Sequence, residues 1–572
     1  MQWLFCDIMG SWIKCKRNPR ERCAGTMIRM RACSNSHRVF AEVYGVPEKP
    51  ERKRDDMDSR ILVKNADCRT MENGPGADWV YVENGIIKDL GKGEDHIRYE
   101  NDDVTVIDAR RRTVLPGFID NHFHMVKSAV ASDYLDLSEA GNFAEMGALI
   151  SAHAGDEEAP IIAYRLESGN LKENRYPFRN ELDKICDDRP LIIYSTDYHT
   201  VMLNTYALLF YKPPFTTAGI EVDEKGMPTG RFGRQAGAKI EERIMDNTDN
   251  SFYDEHVKNY LPNLLASGIT TIAAVEGGNH VTPIYKDRDC EYILKNMQRF
   301  PVTMELFYQT TDVKYVVRKG LKRIGGALYI DGTMGTWTAA LSEDYSDRPG
   351  EKGHLFYTEE YLHNFVLECC ENGIQIGFDA IGDAAIEQVL KILEEVSKDY
   401  DVSAMRHRIE HGELIREDQA ARAKELGIVL SMQPTYEGLW GQPGGMYSKR
   451  LGDRYGKSNP FRMLMDAGVT ICGGSDCDVT DLNPLLGIYW AVNHPVEENR
   501  LNLEEALRMY TINGAYALFM EDTRGSIGRG KAADIVLLSE NLNEIDNAEL
   551  RDVKVDLTIK DGNVLYRRNT DA

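Results

Sequence analysis

Long apolar runs are missing from this chain of 572 residues. None reaches the roughly 20 consecutive apolar residues that a membrane-spanning helix needs. Positive charge is also in deficit: 68 Lys and Arg stand against 91 Asp and Glu, a net charge of −23. Such a surface repels nucleic acid unless a local basic patch intervenes. The one basic concentration lies before Met57 and includes Lys14, Arg17, Arg29, Arg38 and Arg54, without helical or strand periodicity. The 11 cysteines are odd in number and lack framework spacing, which excludes a disulfide scaffold and fits a reducing compartment. Met1 to Ile13 lacks the basic-then-apolar order and small-residue cleavage site of a signal peptide. The expected location is cytoplasmic, and residues 1–56 read as a disordered leader or as sequence upstream of the true start. No repeat of 20–50 residues stands out.

What remains is ordinary globular composition, 42% hydrophobic and 28% charged, in a chain long enough for two or three domains. Short strands and turns fill 58–115; Trp79–Glu83, Asn84-Gly85 and Ile86–Leu90 spell a hairpin. The tail repeats this style in Asp534–Leu538, Val553–Ile559 and Asn563–Tyr566. Both ends are therefore expected to build one small β-sandwich from 58–115 plus 520–567. Between them, apolar strands alternate with helical stretches such as Ala384–Ser397 and Arg416–Glu425. Candidate strands are Val114–Asp120, Thr270–Val275, Val302–Tyr308, Ala327–Ile330, Gln375–Phe378, Arg408–Glu410, Ile428–Gln433 and Thr470–Gly473. Eight β–α units predict an α/β fold, a (β/α)8 TIM-like barrel over 116–519, with an insertion at about 125–265.

Three segments carry metal chemistry. In Asp120-Asn121-His122-Phe123-His124 the period of two aims both imidazoles the same way at a strand end, where barrel sites lie. His411 closes Arg406-His407-Arg408-Ile409-Glu410-His411; by itself it reads more often as a hydrogen-bonded core histidine. Asp476 ends Gly473-Gly474-Ser475-Asp476, where a helix N-cap is the alternative reading.

In this order the segments resemble the amidohydrolase superfamily, more closely its amidohydrolase-3 branch, which includes N-substituted formamide deformylases. Pro116-Gly117-Phe118-Ile119-Asp120 before H-x-H, Asp197-Tyr198-His199 with Asn204, Asp331-Gly332-Thr333, Ile381-Gly382-Asp383-Ala384-Ala385, Met432-Gln433-Pro434 and Gly530-Lys531-Ala532-Ala533-Asp534 all look like segments of that branch. The likeness covers roughly 58–567. It implies up to two divalent cations at the barrel mouth, with His122, His124, His411 and Asp476 as matching ligands. Three positions depart from the pattern: Ala327 stands where lysine is usual, Asp379 where histidine is usual, and Tyr436 where many members have histidine. Without the bridging lysine, a single-cation site is expected, of three protein ligands and one open position, most simply zinc. Asp379 is a further oxygen donor that favours manganese or iron, and Glu276 is a lesser candidate.

The implied reaction is hydrolysis of an amide or other non-peptide C–N bond in a small-molecule substrate. Asp476 would move the proton, and His199 would support the oxyanion or shape the inserted lid. Asp197, Asp331, Gln433 and Tyr436 are expected on the substrate side. Isomerase or lyase chemistry on the same barrel, and a binding protein with a weakened site, are the alternatives. A homodimer is the expected assembly.

Overall fold

A computed structural model describes residues 59–569 except 154–158, 214–216, 246–249 and 278–287. The expected leader at 1–56 lies outside the described residues.

Eight parallel strands form the central sheet in sequence order: β1 Phe118–Phe123, β2 Ile269–Glu276, β3 Thr303–Tyr308, β4 Arg323–Tyr329, β5 Gln375–Ala380, β6 Arg408–His411, β7 Val429–Met432 and β8 Thr470–Gly473. Beyond β8 the sheet curls onto β1. The Asp476 N–H donates to the His122 carbonyl at 2.9 Å, and Phe123 bridges Cys477. The expected barrel is therefore present. Its strands read as unbroken apolar runs because helices and side chains cover both faces: every residue of Ile-Thr-Thr-Ile-Ala-Ala-Val-Glu in β2 is buried.

Two boundaries differ from expectation for local reasons. The run 114–120 is shared between two sheets. Thr113–Pro116 pairs antiparallel with Ile535–Leu538, and β1 starts at Phe118. Gly117 makes the turn between them; a Cβ there would meet the Thr270 side chain at 2.4 Å. β4 begins at Arg323 because Gly325 and Gly326, with φ of +82° and +89°, put an irregularity inside the strand instead of before it.

Strands from the two ends of the chain share one five-stranded sheet: Asp67–Cys68, Thr113–Pro116, Ile535–Leu538, Val555–Lys560 and Asn563–Arg567. A four-stranded sheet of Ile86–Gly91, Trp79–Glu83, Arg60–Lys64 and Thr105–Asp108 shares a buried cluster with it, including Ile61, Val80, Ile87, Val114, Ile535 and Leu557. Between β1 and β2 lie helix α1 (Met125–Ala131), a six-stranded sheet whose inner strands are Ile161–Leu166, Leu191–Ser195, Thr200–Leu203 and Pro228–Gly233, and helix α2 (Arg234–Met245). No described helix is long and apolar enough to cross a membrane.

Candidate active site

The C-terminal ends of β1, β6 and β8 bring His122, His411 and Asp476 together, with ligand-capable atoms all within 4.8 Å of one another. All three residues are buried. His122 Nε2 lies 3.5 Å, and His124 Nε2 3.2 Å, from the same Asp476 Oδ1. His124 thus reaches the cluster through Asp476. Asp379, from β5, places Oδ2 3.4 Å from His411 Nε2.

Backbone geometry shapes this convergence. His411 and Asp476 sit at φ of +69° and +49°, a left-handed conformation that costs a non-glycine residue about 1 kcal/mol or more and persists only where surroundings impose it. Gly474 lets β8 run against β1, since a Cβ there would lie 2.6 Å from the His122 nitrogen. Asp120 ties the same junction, accepting N–H bonds from His122 at 3.2 Å and Ser475 at 3.0 Å.

Each imidazole has its Nδ1 already committed. His122 Nδ1 is 3.0 Å from Glu410 Oε2, His124 Nδ1 is 2.9 Å from the Val275 carbonyl, and His411 Nδ1 is 2.7 Å from Gln433 Oε1. A carboxylate or carbonyl oxygen only accepts, so each Nδ1 carries the proton and each Nε2 keeps a free lone pair. This is the arrangement that orients histidine for a cation. Arg408, fully buried, holds Glu410 in turn at 2.7 Å. Burial pushes Glu410 upward, but Arg408 and His122 outweigh it and hold the carboxyl below its usual range.

The charges match the geometry. Burial would raise Asp476, yet His124, His122 and His411 outweigh it and keep the carboxylate ionised. Burial would lower His411, but Asp379 and Asp476 push it up to about 10. A divalent cation competes with that proton for the same lone pair. The donor set of imidazole nitrogen and carboxylate oxygen fits a borderline divalent ion such as zinc.

Other expected site residues fall in different places. The Tyr436 hydroxyl donates to Asp476 Oδ2, and its ring stacks on His411 at a centroid distance of 6.0 Å. Gln433, expected on the substrate side, is 1% exposed and spends its amide oxygen on His411. Asp331, expected on the substrate side, is fully buried and accepts N–H bonds from Ala340, Ile381 and Gly382. Asp197 does not reach the His199 ring. It accepts the His199 backbone N–H at 3.0 Å and hydroxyls from Ser195 and Thr333. The half-buried His199 ring stands edge-on to Tyr329, 6.3 Å away. The Glu276 carboxylate accepts the Val126 N–H at 3.2 Å, capping α1. At Ala327 the barrel wall is closed, and the Gln309 amide donates to its carbonyl at 2.9 Å. The sequence places Glu410 beside His411 at the strand end, where it can face the barrel mouth, without giving it a role, and it gives no sign of Val275, whose part is carried by backbone alone.

Comparison with known proteins agrees with this architecture. A profile described as the amidohydrolase family matches residues 105–566. The chain is 26% identical over 537 residues to the Bacillus subtilis (strain 168) protein YtcJ, covering 87% of this chain and 98% of that one. It is 25% identical over 535 residues to the N-substituted formamide deformylase of Arthrobacter pascens, covering 89% and 98%. Among solved structures, an uncharacterized metal-dependent hydrolase from Pyrococcus furiosus superposes with a TM-score of 0.65 at 22% identity, covering 83% of this chain and 98% of the other. With a profile match spanning most of its length, the chain belongs to the amidohydrolase family, in its amidohydrolase-3 branch.

Proposed function

We propose that this protein hydrolyses a non-peptide C–N bond, an N-formyl or other N-acyl amine, at a site that takes one divalent cation, zinc by preference. The observation that carries the reading is the locking of three Nδ1 atoms, which leaves three Nε2 lone pairs around one carboxylate. His122, His124 and Asp476 would hold the ion, with His411 and Asp379 as further donors beside them. Ala327 offers no bridging group for a second one, and β4 contains no lysine. The similarity to a formamide deformylase points to the bond class.

When bound, such a cation acidifies water to a pKa of about 7 and polarises the scissile carbonyl. The remaining work falls to the chain. Asp476 takes the proton of the attacking water and passes it to the departing nitrogen. The Tyr436 hydroxyl fixes the carboxylate's second oxygen during that transfer. His199 approaches from the insertion as a donor to the developing oxyanion, a contact that can contribute about 2.7–4 kcal/mol. The seven described cysteines are all free and buried, which supports a cytoplasmic location.

The direct test combines metal analysis of the purified protein with a panel of N-formyl and N-acyl amines, peptides serving as controls. About one zinc per chain and amine release from the panel is the expected result. Cleavage of peptides alone, or a protein that neither holds metal nor hydrolyses any member, overturns the reading.

A further inference from the structure

Two strands of the inserted sheet, Ile161–Leu166 and Leu191–Ser195, run parallel, so both end on one side of it. Residues at and just past those ends bond the loops of the barrel mouth. In the loop after β8, Asp478 is the shared partner. Its Oδ2 accepts the Tyr198 hydroxyl, and its backbone carbonyl accepts the Arg165 Nε–H at 3.2 Å. Arg165 also pairs with Asp481 at 2.7 Å. Lys127 of α1 completes the joint: its ammonium lies 3.4 Å from the centre of the Tyr198 ring and 3.8 Å from Asp478 Oδ1. Asp478 is buried, and a hydrogen bond away from water is electrostatically stronger. Two longer contacts flank the joint. The Trp440 indole, after β7, donates to Glu167 at 3.3 Å, and the Thr333 hydroxyl, after β4, donates to Asp197 at 3.3 Å.

Asp478 and Asp476 share one closed turn. The Val479 N–H donates to the Asp476 carbonyl at 2.8 Å, and the Thr480 hydroxyl donates to the Ser475 carbonyl at 2.6 Å. Between them, the Cys477 carbonyl accepts the Ser128 hydroxyl of α1 at 2.6 Å. A shift of Asp478 is therefore passed to Asp476 through a short, constrained backbone. Strain marks both sides of the joint: Arg165 and Tyr198 have φ of +60° and +57°, and Asp476 has +49°. Such conformations persist only where the surroundings impose them. Tyr198 also immediately precedes His199 and packs against the cluster that holds Tyr436 and Val479.

We propose that Tyr198 and Asp478 are positioning residues, whose bond clamps the inserted sheet onto the β8 loop and so fixes Asp476 on one side and His199 on the other. This rests on the C–N hydrolase reading. A displacement of about 1 Å at a reacting group can cost about 100-fold in rate, which is what the clamp prevents.

The test is a double-mutant cycle on kcat, expressed per bound zinc, for any amide that the panel shows to be cleaved. Tyr198→Phe keeps the ring beneath Lys127 and removes only the hydroxyl. It should lower kcat by about 10–100-fold with a smaller change in KM. In an Asp478→Ala background the same substitution should bring no further loss. An unchanged kcat in Tyr198→Phe overturns the clamp, and so does an equal loss in both backgrounds, which would put the hydroxyl to work elsewhere. Amide hydrogen exchange of the purified protein needs neither substrate nor the second variant. Residues 474–482 should exchange faster in Tyr198→Phe than in wild type; wild-type exchange there overturns the clamp. If no amide is cleaved, the hydrolase reading fails by itself, and the exchange result alone decides the clamp.

Discussion

Replacing Glu410 with glutamine separates two jobs that one carboxylate performs. It holds His122 by Nδ1 at 3.0 Å and is the counter-charge of Arg408 at 2.7 Å, both partners being fully or almost fully buried. At an effective dielectric of about 20, charges at this separation attract by roughly 6 kcal/mol. Desolvation offsets part of that, so breaking the pair from one side should cost about 3–5 kcal/mol of stability. Loss of the partner that orients a histidine ligand typically weakens metal binding about 10–100-fold, or roughly 1.4–2.8 kcal/mol. Glu410→Gln should therefore show both losses, read by urea unfolding of metal-free protein and by zinc content at buffered free zinc. The double variant Arg408→Met with Glu410→Leu removes both buried charges. It should recover most of the stability while leaving the metal affinity weak, because His122 still lacks its acceptor. If Glu410→Gln keeps wild-type affinity, or the double variant restores it, the orienting role assigned to Glu410 is wrong.

Asp476→Asn should fold normally and lose about 100–10,000-fold in kcat, the range of general acid–base catalysis; steady-state rates alongside circular dichroism check this. Tyr436→Phe deletes one hydrogen bond to that carboxylate and should lower kcat about tenfold or more with little change in KM, measured on any cleaved amide. His411 gives a pH signature. Its pKa of about 10 lies above the ordinary 6.5, so in metal-free protein its contribution to stability is complete below pH 6.5 and fades as pH rises through 10. His411→Gln should flatten that slope in denaturation curves. Zinc uptake by the wild type near pH 8 should release protons, detectable by calorimetry in buffers of different ionisation enthalpy.

Much of the fold follows from local pattern. The eight strand signals are short-range, and strand period alone sends His122 and His124 to one side. The offsets at β1 and β4 trace to Gly117, Gly325 and Gly326, where a missing Cβ lets the chain turn or bulge within an apolar run. The outer ring of the site was less legible. Asp331 looked like a ligand-facing carboxylate, yet its oxygens are used up by backbone N–H groups from two later loops. Gln433 and Glu276 likewise serve neighbours that only barrel closure supplies.

By itself the sequence determined the order of β and α units, the strand ends that bear imidazole and carboxylate, and the lack of a lysine on β4, because these depend on residue type and near spacing. Only the tertiary structure decided which oxygen holds each Nδ1 and which acids are spent on backbone. Those relations join residues between 9 and 288 positions apart, and the closed barrel brings most of these groups within reach.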